Sequence, residues 1–233
     1  MNEQQSMLAD MAGGLFTELS HRANVTENWS SIEDMGFTGL LLSEADGGFG
    51  GSWIDAGIVF RLVGYHALAL PLVEAVIAAR LAVDAGSELT GLGTIAERAS
   101  GTLASGRFTG LVRGAAWGRD ASFVVAPSPD GGALILATAD AKIEESRNVA
   151  GEPRDVFHFA DTHATPVAAD VYGLGAAARA MQIAGALDAA LTMAVGYVND
   201  RKQFGKPLGK LQAVQQALAV FAWSMPWKFL RVP

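Results

Sequence analysis

The chain has 233 residues, half of them hydrophobic and 18% charged, with a formal net charge of -7. This is apolar material enough for a buried core in one large domain or two small ones, and it excludes intrinsic disorder. The acidic balance speaks against a nucleic-acid binder, which carries a basic face, and the absence of cysteine excludes disulfides, thiolate metal ligands and thiol nucleophiles.

Residues 1–88 read as an all-helical domain. Leu8, Met11, Leu15 and Leu19 recur at helical spacing. A short helix is predicted in TENWSSIEDMG, capped by Thr26 and ended near Gly36. The glycines from 47 to 51 predict an open loop. They lack the Gly-Lys-Ser/Thr ending of a P-loop and the spacing of a dinucleotide fingerprint, so the loop reads as a connection between helices. Ser52 and Asp55 predict a capping box for the next helix. Pro71 opens another, closed by Gly86.

Residues 89–167 change character. FTGLVRG, SFVVAPS, ALILATA and DVFHFA alternate or are β-branched, and turn residues separate them at 105–106, 129–132 and 151–153. A small middle antiparallel β-sheet or barrel is predicted. The four histidines, at 21, 66, 158 and 163, form no pair at helical metal-ligand spacing, so no metal site is expected.

Residues 168–233 read as a partial C-terminal helical domain. Leu174, Ala178, Met181, Ala184, Leu187, Leu191, Val195 and Val198 form one stripe. Gly185 inside it costs about 1 kcal/mol relative to alanine, which packing must offset. A second helix carries Leu211, Val214, Leu218 and Phe221, and Pro226 cuts it short. Two helices leave an apolar face open where a four-helix bundle would close it, so partner chains or a fragment are expected. The fold class is therefore α+β and multidomain: helical, then β, then a truncated helical bundle.

The N-terminus is acidic and holds no signal-peptide pattern. The most apolar run, 174–198, contains Arg179, Gln182 and Asp188, so no membrane span is expected and cytoplasm is the expected compartment.

Between the two C-terminal helices stands DRKQFGKPLGKLQ. Arg201 and Lys202 complement a helix C-terminus, Gly205 suits a left-handed cap, and Pro207 prevents continuation. Gln203 and Phe204 are not explained that way. An aromatic ring beside a guanidinium fork is suited to a nucleotide, the fork taking phosphate oxygens and the ring covering an apolar edge.

YVNDRKQFGKPLGKLQAVQQALA resembles the Arg-x-x-Phe-Gly motif of the acyl-CoA dehydrogenase flavoproteins, and LLLSEADGGFGGSWIDAG resembles their Pro-Glu-x-x-Gly-Gly-x-Gly loop, with Ser43 in place of proline. The resemblance implies FAD held between the β domain and the C-terminal helices. It implies that Arg201, Gln203, Phe204 and Gln212 contact the FAD of a neighbouring subunit. Arg201 would neutralise diphosphate charge, Phe204 would pack on the nucleotide, and the two amides would fix polar edges. The implied reaction removes two hydrogens from the α and β carbons of an acyl-CoA, in fatty-acid or sterol side-chain breakdown, with electrons passing to an electron-transfer flavoprotein.

Two elements depart from that pattern. The flavin-contact loop of the β domain is matched only by Glu97 and a Ser-Gly pair in GTIAERASGTLASG, and Trp117 is the nearest counterpart of a flavin-contact tryptophan. The position aligned with one branch's catalytic glutamate is Gly175, and Asp188 is the only acid inside that helix, several turns too far along. No catalytic base is assigned. The expectation is a subunit of a homo- or hetero-oligomer in which a partner of the same kind supplies the base; the alternative is a non-catalytic, structural subunit.

Overall fold

The computed structural model describes residues 1–21, 25–203 and 205–224. Among these, helices come first, strands follow, and helices return, the order read from the sequence. The chain divides into two compact units: Met1–His21, Gly57–Leu68 and Ala180–Pro233 form one, and Arg22–Ala56 and Ala69–Arg179 form the other.

The first unit is helical. Helix α1 (Glu3–Ser20) starts in a capping box: Asn2 Oδ1 accepts from the Gln5 N–H at 2.8 Å and Gln5 Oε1 accepts from the Asn2 N–H at 3.1 Å. Its buried face is Ala12, Phe16 and Leu19. The expected stripe shares only Leu19 with this face, and Met11 is 41% exposed. The helix is turned to bury the ring of Phe16, which covers more area than a thioether. Phe16 meets His66 edge-on at 6.3 Å. Burial pushes the His66 imidazole below its usual range.

Helix α3 (Trp53–Tyr65) follows the predicted cap: the Ser52 N–H donates to Asp55 Oδ2 at 2.7 Å, and the Asp55 N–H donates to Ser52 Oγ at 3.3 Å. From Gly57 onward it packs on the later turns of α5 (Val171–Asp200). The two backbones meet directly. A Cβ on Gly64 would overlap the carbonyl of Gln182, and a Cβ on Gly185 would overlap the carbonyl of Arg61. Arg61 and Asp188 close this contact with an ion pair. Helix α5 is long and apolar enough to cross a membrane by length and composition alone. The glycine contacts and the ion pair show its later turns packed on α3. The expected stripe is only partly covered: of its members Ala178 and Ala184 are buried, while Val195 is 40% exposed. Helix α6 (Gln212–Ser224) carries the expected Val214, Leu218 and Phe221, each half-buried.

The second unit carries α2 (Val25–Asp34), α4 (Leu72–Asp84) and a seven-stranded sheet. Helix α2 already includes Thr26 in its backbone, and the side-chain cap predicted there lies outside the described residues. The left-handed Gly36 (φ 71°) follows the helix. The glycine loop is not open. Its amides donate inward, Gly50 N–H to Leu42 O at 2.7 Å and Gly51 N–H to Leu40 O at 2.9 Å, and a Cβ on Gly48 would overlap two carbonyls. Helix α4 begins after Pro71 and ends at the left-handed Gly86, as predicted.

The strands are β1 (Gly93–Ile95), β2 (Arg98–Ala104), β3 (Arg107–Ala116), β4 (Phe123–Pro127), β5 (Ala133–Ala137), β6 (Ala141–Glu144) and β7 (Arg154–Val167). Their order is β1-β4-β5-β7-β3-β2, with β6 also on β7. The core lies among Phe108, Val112, Leu134, Leu136, Phe157 and Phe159. All pairings are antiparallel, as expected, except β1 with β4, which are parallel. The β2–β3 hairpin lies between those two strands in sequence and returns the chain in its original direction.

Asp155, on β7, is wholly buried. It accepts from the Arg119 guanidinium at 2.6 Å, from the Arg119 N–H at 2.9 Å and from the Ser146 N–H at 3.0 Å. Burial pushes its carboxyl up, but the hydrogen bonds from Arg119 and Ser146 outweigh this and hold it below the usual carboxylate range.

Candidate functional site

In the second unit the β strands, α4 and the first turns of α5 enclose a cavity of about 330 Å³. Ile95, Ala96, Ala116, Val171 and Ala176 give it apolar walls. Glu74 reaches it from the first turn of α4, where a carboxylate also complements the helix dipole. Glu74 is 1% exposed, and a carboxylate so buried needs a partner. Arg179 of α5 supplies it through an ion pair. The second carboxylate on the cavity is Glu97, just after β1. Its backbone N–H donates to Arg113 O at 3.1 Å, and its side chain rests over Gly114, where a Cβ would stand 2.8 Å from Glu97 Cδ. Glu97 is exposed, and its carboxylate has no ion pair or hydrogen bond among the described residues.

Gly175 lines the same cavity, and a Cβ there would stand 3.2 Å from Ile95 Cδ1. The aligned base position thus faces the cavity without a carboxylate. Asp188 belongs to the first unit, where Arg61 neutralises it. Trp117 is 7% exposed, with its backbone left-handed (φ 48°) and the Arg154 guanidinium 5.3 Å over its ring. Arg154 is also on the cavity wall. The chemistry of this enclosure is an apolar slot with one compensated carboxylate, one free carboxylate and two arginines at its edges.

A shallower groove of about 610 Å³ shares Glu97 and Tyr172 with the cavity. Its other walls include Arg98, Ser100, Arg113 and Pro127.

The residues carried by the Arg-x-x-Phe-Gly motif lie in the first unit. Helix α5 runs to Asp200, and the Arg201 N–H still donates to Tyr197 O at 2.9 Å. A minimal ribbon follows, β8 (Lys202–Gln203) against β9 (Lys206–Pro207). Gly205 turns it with φ 77°, a value that favours glycine. The Arg201 carbonyl accepts from the Leu208 N–H at 2.8 Å, which ties the base of the ribbon. Gln212 is the first residue of α6. Arg201, Gln203 and Gln212 are all exposed, with side chains that make no hydrogen bond or ion pair among the described residues. Phe204 lies outside the described residues.

Sequence reasoning missed Glu74 with Arg179, and Arg98 with Arg113. The first had a signal: Glu74 is the one acid within the otherwise apolar run PLVEAVIAARL. The second depends on strand register, which no local pattern carries.

Residues 166–225 match the family described as acyl-CoA dehydrogenase, C-terminal domain. A search of curated proteins gave no match. Among solved structures, a variant of the Tcur3481-Tcur3483 steroid ACAD is 21% identical with a TM-score of 0.77, over 93% of this chain and 72% of that one. The ChsE4-ChsE5 complex from Mycobacterium tuberculosis is 21% identical with a TM-score of 0.74, over 94% and 73%. The FAD complex of PigA is 15% identical with a TM-score of 0.70, over 96% and 75%. At these identities the likeness to solved structures is one of fold.

Proposed function

We propose that this chain, which has the acyl-CoA dehydrogenase fold and carries that family's C-terminal domain over residues 166–225, is an FAD-dependent acyl-CoA dehydrogenase subunit that works in an oligomer. The observation that carries the reading is the Arg201–Gln212 segment: an exposed guanidinium and two exposed amides on and beside the short ribbon that joins α5 to α6, none of them engaged elsewhere among the described residues. Arg201, Gln203, Phe204 and Gln212 would contact FAD bound in the adjoining subunit. The division into 1–88, 89–167 and 168–233 belongs to this reading, as does a cytoplasmic location.

The cavity of the second unit fits the group. Its apolar walls suit a flat ring, and Gly175 adds no side chain to crowd Ile95 on that wall. Ile95, Ala96, Val171 and Gly175 would hold the ring, and Arg154 and Arg179 would meet polar edges. Bound FAD supplies an acceptor for the β hydride of an acyl-CoA. The chain's own task is to exclude water and orient the thioester. The α proton must go to a carboxylate. Arg179 already neutralises Glu74, and Gly175 offers none. Glu97, the cavity's one free carboxylate, is exposed to water, so this reading takes the base from a partner chain, and electrons leave to an electron-transfer flavoprotein. Two solved relatives support the oligomer and the substrate class: one is a complex of ChsE4 with ChsE5, the other a steroid ACAD. So do Ile183, Met193, Tyr197, Val220 and Trp223, exposed by 58 to 76% on α5 and α6. A structural subunit without activity is the second reading, favoured by the missing carboxylate at Gly175.

The test is flavin content. The chain co-expressed with a partner of the same fold should purify with bound flavin, and Arg201→Ala should lower the flavin retained about tenfold, as expected for loss of one charge-assisted contact. Unchanged flavin content in Arg201→Ala would remove the hairpin from the site.

A further inference from the structure

We propose that Arg98 and Arg113 form a clasp for the diphosphate group of an adenine nucleotide on the outer face of the β2–β3 hairpin. The two residues are direct antiparallel partners, so their side chains rise from the same face of the sheet. Like charges placed opposite one another weaken a strand pair. This pair is left bare. Both arginines are exposed, and neither makes an ion pair or hydrogen bond among the described residues.

Every other described arginine of the same unit is engaged. Arg80 pairs with Asp84, Arg107 with Asp161, Arg119 with Asp155, Arg154 with Glu152 and Arg179 with Glu74, while Arg147 donates to the Gly151 carbonyl at 2.7 Å. In a chain of net charge -7, acidic partners are plentiful. Two adjacent guanidinium groups without one are a local surplus of positive charge. They also line the groove of about 610 Å³, together with Ser100 and Tyr172, whose hydroxyls can donate to an anion.

The charge count selects the ligand. A monoanion balances one guanidinium; a diphosphate carries enough charge and oxygen atoms to engage both forks. Glu97 sits where the groove meets the cavity of about 330 Å³ and repels phosphate from that end. A molecule with an anionic diphosphate and an uncharged remainder would lie with the diphosphate on Arg98 and Arg113 and the remainder past Glu97 and Tyr172. FAD and an acyl-CoA both contain such a diphosphate. Naming these two candidates rests on the dehydrogenase reading; the clasp itself rests on the arginine pair.

The experiment is calorimetric titration of the full chain with ADP, FAD, coenzyme A and riboflavin, repeated for Arg98→Gln, Arg113→Gln and the double variant. ADP affinity should fall about tenfold for each arginine removed, the loss expected for one charge-assisted contact, and should weaken with added salt. Riboflavin, which has no phosphate, should respond to none of the variants. The melting temperature should not fall, because either substitution relieves the like-charge pair. A parallel loss for FAD but not coenzyme A assigns the diphosphate to the flavin, and the reverse assigns it to the thioester substrate. Arginine-dependent ADP binding without FAD binding by the chain alone keeps the clasp and leaves the flavin reading to the co-expression test. FAD, ADP and coenzyme A binding within twofold of the parent in the double variant overturns the clasp and leaves the flavin reading standing. No binding of ADP, FAD or coenzyme A by the parent overturns the clasp.

Discussion

Buried charge in this protein is handled by geometry that can be checked one side chain at a time. Asp155 is wholly buried and takes its hydrogen bonds from Arg119 and the Ser146 amide. Removing its charge leaves Arg119, 20% exposed, without its main partner. Asp155→Asn should therefore destabilise by about 3 kcal/mol, the low end for a broken buried pair because Arg119 keeps some water. The sign of the pH effect follows from the depressed carboxyl. Its folded-state value lies below the unfolded one, so the stabilisation is present above the unfolded value, near pH 4, and is lost as pH falls through the folded value. Denaturant unfolding of parent and Asp155→Asn between about pH 2 and 6 should show curves that converge at the acid end. A constant gap across that range would mean that the charge contributes nothing. None of this was legible in the sequence. Asp155 and Arg119 are 36 positions apart, and only the sheet brings them together.

Helix existence was easier to read than helix orientation. The capping box at Ser52 and Asp55, the opening at Pro71 and the closure at Gly86 are local devices, and each is present. Which face of α1 turns inward is a tertiary choice, and Phe16 decided it against Met11. The run of glycines at 47–51 suggested openness, whereas the missing Cβ atoms let the loop fold tightly over the 37–42 turn. Gly185 shows the same logic. Its cost to the helix was visible in the sequence; the compensation, close approach of α3 and α5 at Gly64 and Gly185, was not. Gly185→Ala should lower stability by roughly 2 kcal/mol, since a methyl group there overlaps a carbonyl that cannot swing aside. The opposite outcome, a gain of about 1 kcal/mol from improved helix propensity, would mean that the two backbones do not touch. Thermal or urea unfolding distinguishes the two signs.

For the molecule as a whole, the order helical, β, helical and the Arg-x-x-Phe-Gly stretch pointed to the acyl-CoA dehydrogenase fold, and the match over residues 166–225 and the solved relatives agree on that fold. The cavity that would take the flavin ring was not readable. It is assembled from positions as distant as Glu74, Ile95 and Gly175, and it depends on the parallel seating of β1. The exposed apolar residues of α5 and α6, together with a cavity whose one free carboxylate is the exposed Glu97, fit a subunit completed by another chain. The most direct measurement is the visible spectrum of the co-purified complex before and after an acyl-CoA is added without oxygen. A visible flavin absorption band that bleaches on addition is the predicted result, because hydride transfer reduces the flavin. A complex with no flavin band, or one whose band does not change with any acyl-CoA offered, would refute the dehydrogenase function.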